Sequence, residues 1–533
     1  MTTEDQTETL FERLVSIVGQ QYLLTDEKSC VLYAQDIFTK GLPALAVVQP
    51  ENAEELAAVV KVAIAAGYVV IPRGGGMSYT SGYVPALPDS VMIDTRRMNK
   101  ILEINKEDMF VTVESGCTWK VLSEALSGTD LRTPYWGPFS GAVATVGGAV
   151  SQHSIFWGSG QYGSSADSVL GLEVVLADGS LLKTGSGSQI NSSPFYRHYG
   201  PDLTGIFTGD TGALGFKTAI TLRLTPDFPA KQFVAFDFKT ADDALNAMSE
   251  ISRRGLAMEC FGFDPHVQSQ RLKRESLVTD VKALTGVMKS AGSVLGAIKE
   301  GAKVALAGRR FMNDVDYSVQ IIIEDRNVAG AEAVANDVRA VGKQFDGREI
   351  ENSIPKITRA NPFAAINNML GPQGERWVPV HGLVPHSKIK QAHAALEGLF
   401  DKYQALMSEH NITVGYLFTT VSTNAFALEP VFYWQDAITE IHRDSVDPSH
   451  LARLKGFPEN LEARSVMQKI RDELAELFCE LGAVHQQIGK DYLYREGLQP
   501  EAWKLIQAIK NTVDPDGKVN PKSLGLESTG DPS

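Results

Sequence analysis

Three successive glycines in Pro72-Arg-Gly-Gly-Gly-Met-Ser-Tyr-Thr-Ser-Gly82 directly follow a run that reads as a strand. Glycine carries no Cβ, so such a loop can turn through φ > 0 and bring several backbone N–H groups to one anion. A pyrophosphate is the natural guest of such a loop; a plain glycine-rich turn is the alternative. The loop lacks both the GK[ST] ending of a P-loop and the G-x-G-x-x-G spacing of a Rossmann turn. A second loop, Pro138-Phe-Ser-Gly-Ala-Val-Ala-Thr-Val-Gly-Gly148, is small-residued almost throughout, so a flat cofactor or its phosphates could approach the main chain.

Proton chemistry is available further on. Trp377-Val-Pro-Val-His381-Gly-Leu-Val-Pro-His386 sets two histidines on what reads as a strand end and loop, and Phe432-Tyr433-Trp434-Gln435 supplies an aromatic cluster. His485-Gln-Gln-Ile-Gly-Lys490-Asp-Tyr492-Leu-Tyr494 adds imidazole, amine and phenol. Histidine and tyrosine can take or hold a proton as general acids or bases. A lone histidine such as His153 or His386 is more often a structural hydrogen-bonder, and the aromatic cluster fits a core as readily as a pocket.

The elements that must position these groups follow from periodicity. Glu54–Ala66 repeats apolar residues at helical spacing and Tyr68–Pro72 reads as a buried strand. Val91–Asp94, Phe110–Glu114, Leu172–Leu176 and Thr218–Leu224 are further strands, and Thr225-Pro226 marks the first boundary. Phe233–Phe238 and Tyr317–Ile323 are strands followed by helices, which predicts a sheet covered on one face. An amphipathic helix begins near residue 466. The expected division is 1–226, 227–465 and 466–533. Residues 284–305 carry an apolar stripe with lysines off it, which suits core packing or contact with a membrane surface or partner.

With 533 residues the chain exceeds the roughly 250–300 at which one core stops growing, so it needs more than one lobe. A net charge of −14 argues against a nucleic-acid binder, which requires a basic face. The four cysteines show no metal or disulfide spacing, so no metal site is expected. The N-terminus is acidic with no apolar run behind it, and no stretch is long enough to span a bilayer. The expected location is the cytoplasm, with peripheral membrane contact through 284–305 as the variant.

Taken in order, the two loops, Tyr162-Gly163, Asp167–Gly179 and Asp202–Gly215 resemble the FAD domain of the vanillyl-alcohol oxidase / p-cresol methylhydroxylase superfamily. That superfamily also holds D-lactate and glycolate dehydrogenases. The resemblance covers about residues 30–226 and resumes at Val513–Pro521. It implies an α+β fold: a PCMH-type FAD-binding domain of two α+β subdomains, and a substrate domain whose sheet is covered by helices. It also implies FAD held by Pro72, Arg73, Gly74, Gly75, Gly76, Met77, Ser78, Tyr79 and Gly82, with Pro138, Ser140, Gly141, Thr145, Val146 and Gly148 from the second loop. Tyr162, Gly163, Val174 and Asn520 complete the implied cofactor set. The candidate catalytic residues are His381, His485, Tyr433 and Tyr492.

Departures from the family refine the expectation. Met77 stands where many members carry a flavin-linking histidine, so non-covalent FAD is expected. Phe139 stands near the aspartate base of the phenol oxidases and cannot take a proton. The H-x-G-D-G-N-x-H-like metal motif of the hydroxy-acid dehydrogenases is missing, and their E-H-G-I-G survives only as His485-Gln486-Gln487-Ile488-Gly489. The expected reaction is therefore metal-free oxidation of a small or aromatic alcohol by hydride transfer to flavin N5. A D-2-hydroxy-acid dehydrogenase is the alternative, and a flavin-carrying subunit without its own substrate site is the alternative of another class. Expected partners are the small-molecule substrate and an electron acceptor (oxygen, a quinone or an electron-transfer protein), with no nucleic acid; assembly into a homo-oligomer is left open.

Overall fold

A computed structural model describes residues 3–274 and 314–527. The amphipathic segment 284–305 lies outside the described residues. The chain divides into two compact units, one of Met1–Ser154, Ser164–Pro226 and His485–Ser533, the other of Ile155–Gly163 and Asp227–Val484. The middle segment of the first unit ends at Pro226. The return to the first unit falls at His485 instead of 466, because the helix Leu461–Glu480 packs within the second unit. Sequence periodicity cannot see that partner.

The first unit holds two sheets. Strands β1 (Leu23–Leu24), β2 (Ala46–Val48), β3 (Val69–Arg73) and β4 (Ser90–Asp94) form one in the order β1-β2-β4-β3, parallel between β2, β4 and β3. Helix α1 (Ala53–Ala65) connects β2 to β3, capped by Asn52, whose side chain accepts from the Glu55 N–H. Its apolar stripe, Leu56, Val59, Val60 and Ala63, is fully buried. The second sheet joins β5 (Ile101–Asn105), β6 (Phe110–Glu114), β7 (Val169–Val175), β8 (Leu181–Lys183) and β9 (Phe216–Arg223) in the antiparallel order β5-β6-β9-β7-β8. A short helix, α2 (Val146–Ser151), follows the second small-residue loop.

The C-terminal return is stitched to the first sheet. The Val70 N–H donates to Lys518 O (2.8 Å) and the Asn520 N–H to Val70 O (2.9 Å). Lys510, 1% exposed, donates from Nζ to Ala213 O (2.7 Å), Val519 O (2.7 Å) and Asp514 Oδ2 (2.6 Å). One buried ammonium thus ties three segments together.

The second unit is an antiparallel sheet with helices. Its strands are β10 (Ala230–Phe238), β11 (Glu259–Phe263), β12 (Tyr317–Asp325), β13 (Arg348–Glu349), β14 (Arg376–Pro379), β15 (Gly382–Val384), β16 (Thr413–Val421) and β17 (Ala425–Trp434). They run β13-β10-β12-β11-β16-β17-β14, with β15 also on β17. Helices α3 (Ala241–Arg253), α4 (Val328–Gln344) and, beyond the helix α5 (Ser353–Ala360), α6 (Ile389–Glu409) share one face of the sheet. On that face a Cβ on Gly262 of β11 would meet Met248 of α3 at 3.3 Å, and one on Gly342 of α4 would meet the Phe236 ring at 2.3 Å. Phe400 of α6 packs edge-on to Phe432 at 5.6 Å. The opposite face carries Phe261 against Phe156 (5.4 Å), and Glu259, whose Oε1 accepts from the Gly158 N–H (2.6 Å).

Replacing Lys510 by Met leaves Asp514 charged and buried without its cation, a loss of about 3–5 kcal/mol for a broken buried pair. The midpoint of urea unfolding should fall accordingly; a loss below about 1 kcal/mol would contradict the stitching role.

Candidate active site

A cavity of about 930 Å³, counting its share open to solvent, lies within the first unit. Its floor is the turn from β3, and its walls are the second loop with α2 and the segment before β9. Pro72, Arg73, Gly74, Gly75, Gly76, Met77 and Ser78 line it, as do Pro138, Ser140, Thr145 and Gly148. Gly82, Tyr79, Gly141 and Val146 do not line it. Val174 does not line it and is fully buried, 0% exposed. Tyr162 and Gly163 belong to the second unit. Asn520 supports the wall from behind: its Nδ2 donates to Gly82 O and Thr211 O, both at 2.8 Å.

The glycines act differently from the expectation. Of the three, Gly76 alone has positive φ (76°). Gly74 and Gly75 are required by loop-to-loop approach: a Cβ on Gly75 would stand 2.2 Å from Val143 O, and one on Gly74 would stand 2.4 Å from Thr145 Oγ1. Thr145 itself caps α2, accepting from the Gly148 N–H at 3.1 Å. The two small-residue loops are therefore small because they touch each other.

Six lining residues stand outside the implied cofactor set: Ser115, Gln152, Thr211, Gly212, Lys217 and Gln487, although Thr211 and Gly212 fall in the Asp202–Gly215 segment that carries the resemblance. Lys217 pairs with Asp210 at 2.6 Å, both side chains at most 3% exposed. The pair spans seven residues and has no motif of its own. Ser115 Oγ, Gln152 Oε1, Thr211 Oγ1 and Arg73 Nε are buried without a hydrogen-bond partner. Four buried polar atoms left open around one cavity fit a polar guest, since each costs about 1–3 kcal/mol unpaired. Arg73 also lies over the Tyr33 ring at 4.5 Å and the Tyr83 ring at 5.5 Å, which fixes the cation at the root of the glycine turn.

The proposed proton carriers divide between the units. His485 stacks on Tyr492 at 3.8 Å and 15° in the first unit. His381 and Tyr433 lie in the second. His386 is a structural residue: its Nε2 reaches Thr423 O at 3.2 Å and Ser252 Oγ at 3.4 Å. Lys490 Nζ donates to Val84 O (2.7 Å), Asn520 Oδ1 (3.1 Å) and Gly82 O (3.4 Å), and burial presses its pKa down to about 7. Arg376 is 2% exposed, with NH1 4.0 Å from Asp436 Oδ2 and its guanidinium over Trp434 at 5.6 Å. Among the described residues, no three His, Cys, Asp or Glu stand together as metal ligands, and no helix is long and apolar enough to cross a membrane.

Comparison with known proteins agrees with this geometry. Residues 44–185 match the FAD binding domain family model. The chain is 33% identical over 213 residues to D-lactate dehydrogenase of Archaeoglobus fulgidus, covering 40% of this chain and 46% of that protein. It thus spans about half the length of such relatives. A probable mitochondrial D-lactate dehydrogenase of Danio rerio is 33% identical over 490 residues, 91% of this chain and 86% of that protein. The solved structure of p-cresol methylhydroxylase with substrate bound superposes with a TM-score of 0.74 at 18% identity, covering 99% of both chains, which establishes the fold. The chain belongs to the FAD-linked oxidoreductases with a PCMH-type FAD-binding domain. FAD is its cofactor, and the cavity of the first unit suits it.

Gly75→Val should abolish retention of FAD, because the new Cβ drives the two loops apart where Val143 O now sits at 2.2 Å from its position. The flavin-to-protein absorbance ratio after gel filtration reports this. A Gly75→Val protein carrying full FAD would contradict the loop contact as the basis of the cavity.

Proposed function

We propose that this chain oxidises the CH–OH group of a small uncharged alcohol, aliphatic or aromatic, with non-covalently held FAD as electron acceptor. Bound FAD supplies the hydride acceptor; the protein orients the alcohol and takes its hydroxyl proton. The observation that carries the choice of substrate is where the cations are. A carboxylate substrate needs a counter-charge, and the two candidates for one are otherwise engaged. Arg376 sits against Asp436 and Trp434, and Lys490 is spent on Val84, Gly82 and Asn520. Arg359, on the face opposite α3, α4 and α6, already donates to Glu324 at 2.8 Å.

A D-2-hydroxy acid is the second reading, favoured by the likeness to a probable D-lactate dehydrogenase over 91% of the chain. Oxygen, a quinone or an electron-transfer protein would regenerate the flavin. Four free thiols, three of them buried, support a reducing compartment such as the cytoplasm.

Anaerobic mixing with benzyl alcohol, 1-butanol, D-lactate and glycolate decides the substrate class. Bleaching of the flavin by the uncharged alcohols supports the proposal; bleaching by the hydroxy acids alone overturns it. Acid denaturation should release all of the FAD to the supernatant, since Met77 cannot form a histidyl bond; a protein mass raised by that of FAD contradicts non-covalent attachment.

A further inference from the structure

Three lysine ammoniums of the first unit are withdrawn from solvent, and they are not satisfied alike. Lys510 and Lys490 each donate to three oxygens. Lys217, its side chain 3% exposed, has one acceptor among the described residues, Asp210 Oδ1 at 2.6 Å. An ammonium carries three N–H donors, so two of them find no protein acceptor. A buried donor left open loses its water without return. Of the three lysines, Lys217 alone lines the cavity that suits FAD.

The strand it sits on explains how a lysine comes to be there. Lys217 is the second residue of β9, and the register with β7 slips beside it, from Lys217↔Val174 to Ala219↔Glu173, leaving Thr218 as the extra residue. A bulge of this kind re-aims the side chains next to it. Asp210 then fixes the ammonium from one side. Its Oδ1 also accepts from the Gly212 N–H at 3.1 Å, so the carboxylate is held by backbone. Gly212 lies against the root of the glycine turn, since a Cβ there would meet Pro72 Cγ at 2.5 Å.

Charge gives the class of group that would complete Lys217. Arg73 and Lys217 are the charged side chains of the lining, and no carboxylate is among the described residues that line the cavity. Asp210 does not reach it. Ser115 and Thr211, 2% and 5% exposed, add hydroxyls without partners to the same wall. Two cations and open donors around a hollow suit an anion, and the diphosphate carries the formal negative charge of FAD. A pair kept for stability alone gains little here, because a buried ion pair rarely outperforms apolar side chains of the same volume.

We propose that Lys217 holds the cofactor, its remaining N–H groups donating to a phosphate oxygen of FAD, with Asp210 as the residue that positions it. All of these groups belong to the first unit.

Lys217→Met removes the donor, and Lys217→Met/Asp210→Asn also removes the carboxylate that the first change leaves buried alone. Flavin fluorescence gained on diluting each holoenzyme reports release of FAD. The dissociation constant should rise about 10–100-fold in both, as for a lost hydrogen bond to a charged group. Lys217→Arg keeps a cation and should recover most of that loss. Wild-type affinity in the double variant would overturn the proposal and leave Lys217 and Asp210 a structural pair.

Solid-state NMR of the wild-type holoenzyme needs no variant to fold. With lysine labelled at Nζ by the heavy nitrogen isotope, one ammonium resonance should show dipolar coupling to the phosphorus of FAD. The coupling should weaken in Asp210→Asn, where the cation stays and its anchor goes. No coupling in the wild type, or a coupled resonance that persists in Lys217→Arg, overturns the proposal. Dilution rests on the non-covalent attachment proposed above, and the NMR measurement does not. A wild type that releases no FAD contradicts that attachment, and the phosphorus coupling then decides the role of Lys217.

Discussion

The first unit depends on one close approach, that of the Gly74-Gly75 backbone to Val143–Thr145. Two chain segments more than sixty residues apart meet there with no room for a single Cβ. The elements on either side of the contact, β3 and α2, are each held by bonds of their own. Val70 of β3 is bonded to Lys518 and Asn520 of the C-terminal return, and α2 begins under its own threonine cap. Lys510 holds the return itself against Ala213, before β9. The cavity is what remains between anchored elements, and its unpartnered Ser115, Gln152 and Thr211 atoms are the consequence of building a polar hollow that a ligand completes.

The second unit solves a different problem. A broad antiparallel sheet buries one face under helices, and there Phe236, Phe418 and Phe432 supply much of the packing. On the other face the same alternation leaves polar groups, among them Glu259 and the buried Gln320.

Local elements were legible. The helix read over Glu54–Ala66 is observed at Ala53–Ala65, and the strand read over Phe110–Glu114 has those same bounds, because each carries its own periodicity. The glycine loops were legible as small-residue runs, although the reason was misjudged: contact between loops requires Gly74 and Gly75, and positive φ is needed at Gly76 alone of the three. Non-local facts were hidden. The Tyr162-Gly163 segment looks continuous with the FAD loops, yet Ile155–Gly163 folds with the second unit through Gly158 and Glu259.

Hydrogen–deuterium exchange of the FAD-free and FAD-loaded protein, compared peptide by peptide, tests most directly whether the cofactor completes the hollow of the first unit. Loading should slow exchange in peptides spanning 72–83, 138–152 and 485–490, the segments that line or brace the cavity, and leave the β8 hairpin of the same unit unchanged. Protection confined to other segments, with those three unaffected, would show that FAD binds elsewhere and contradict the account.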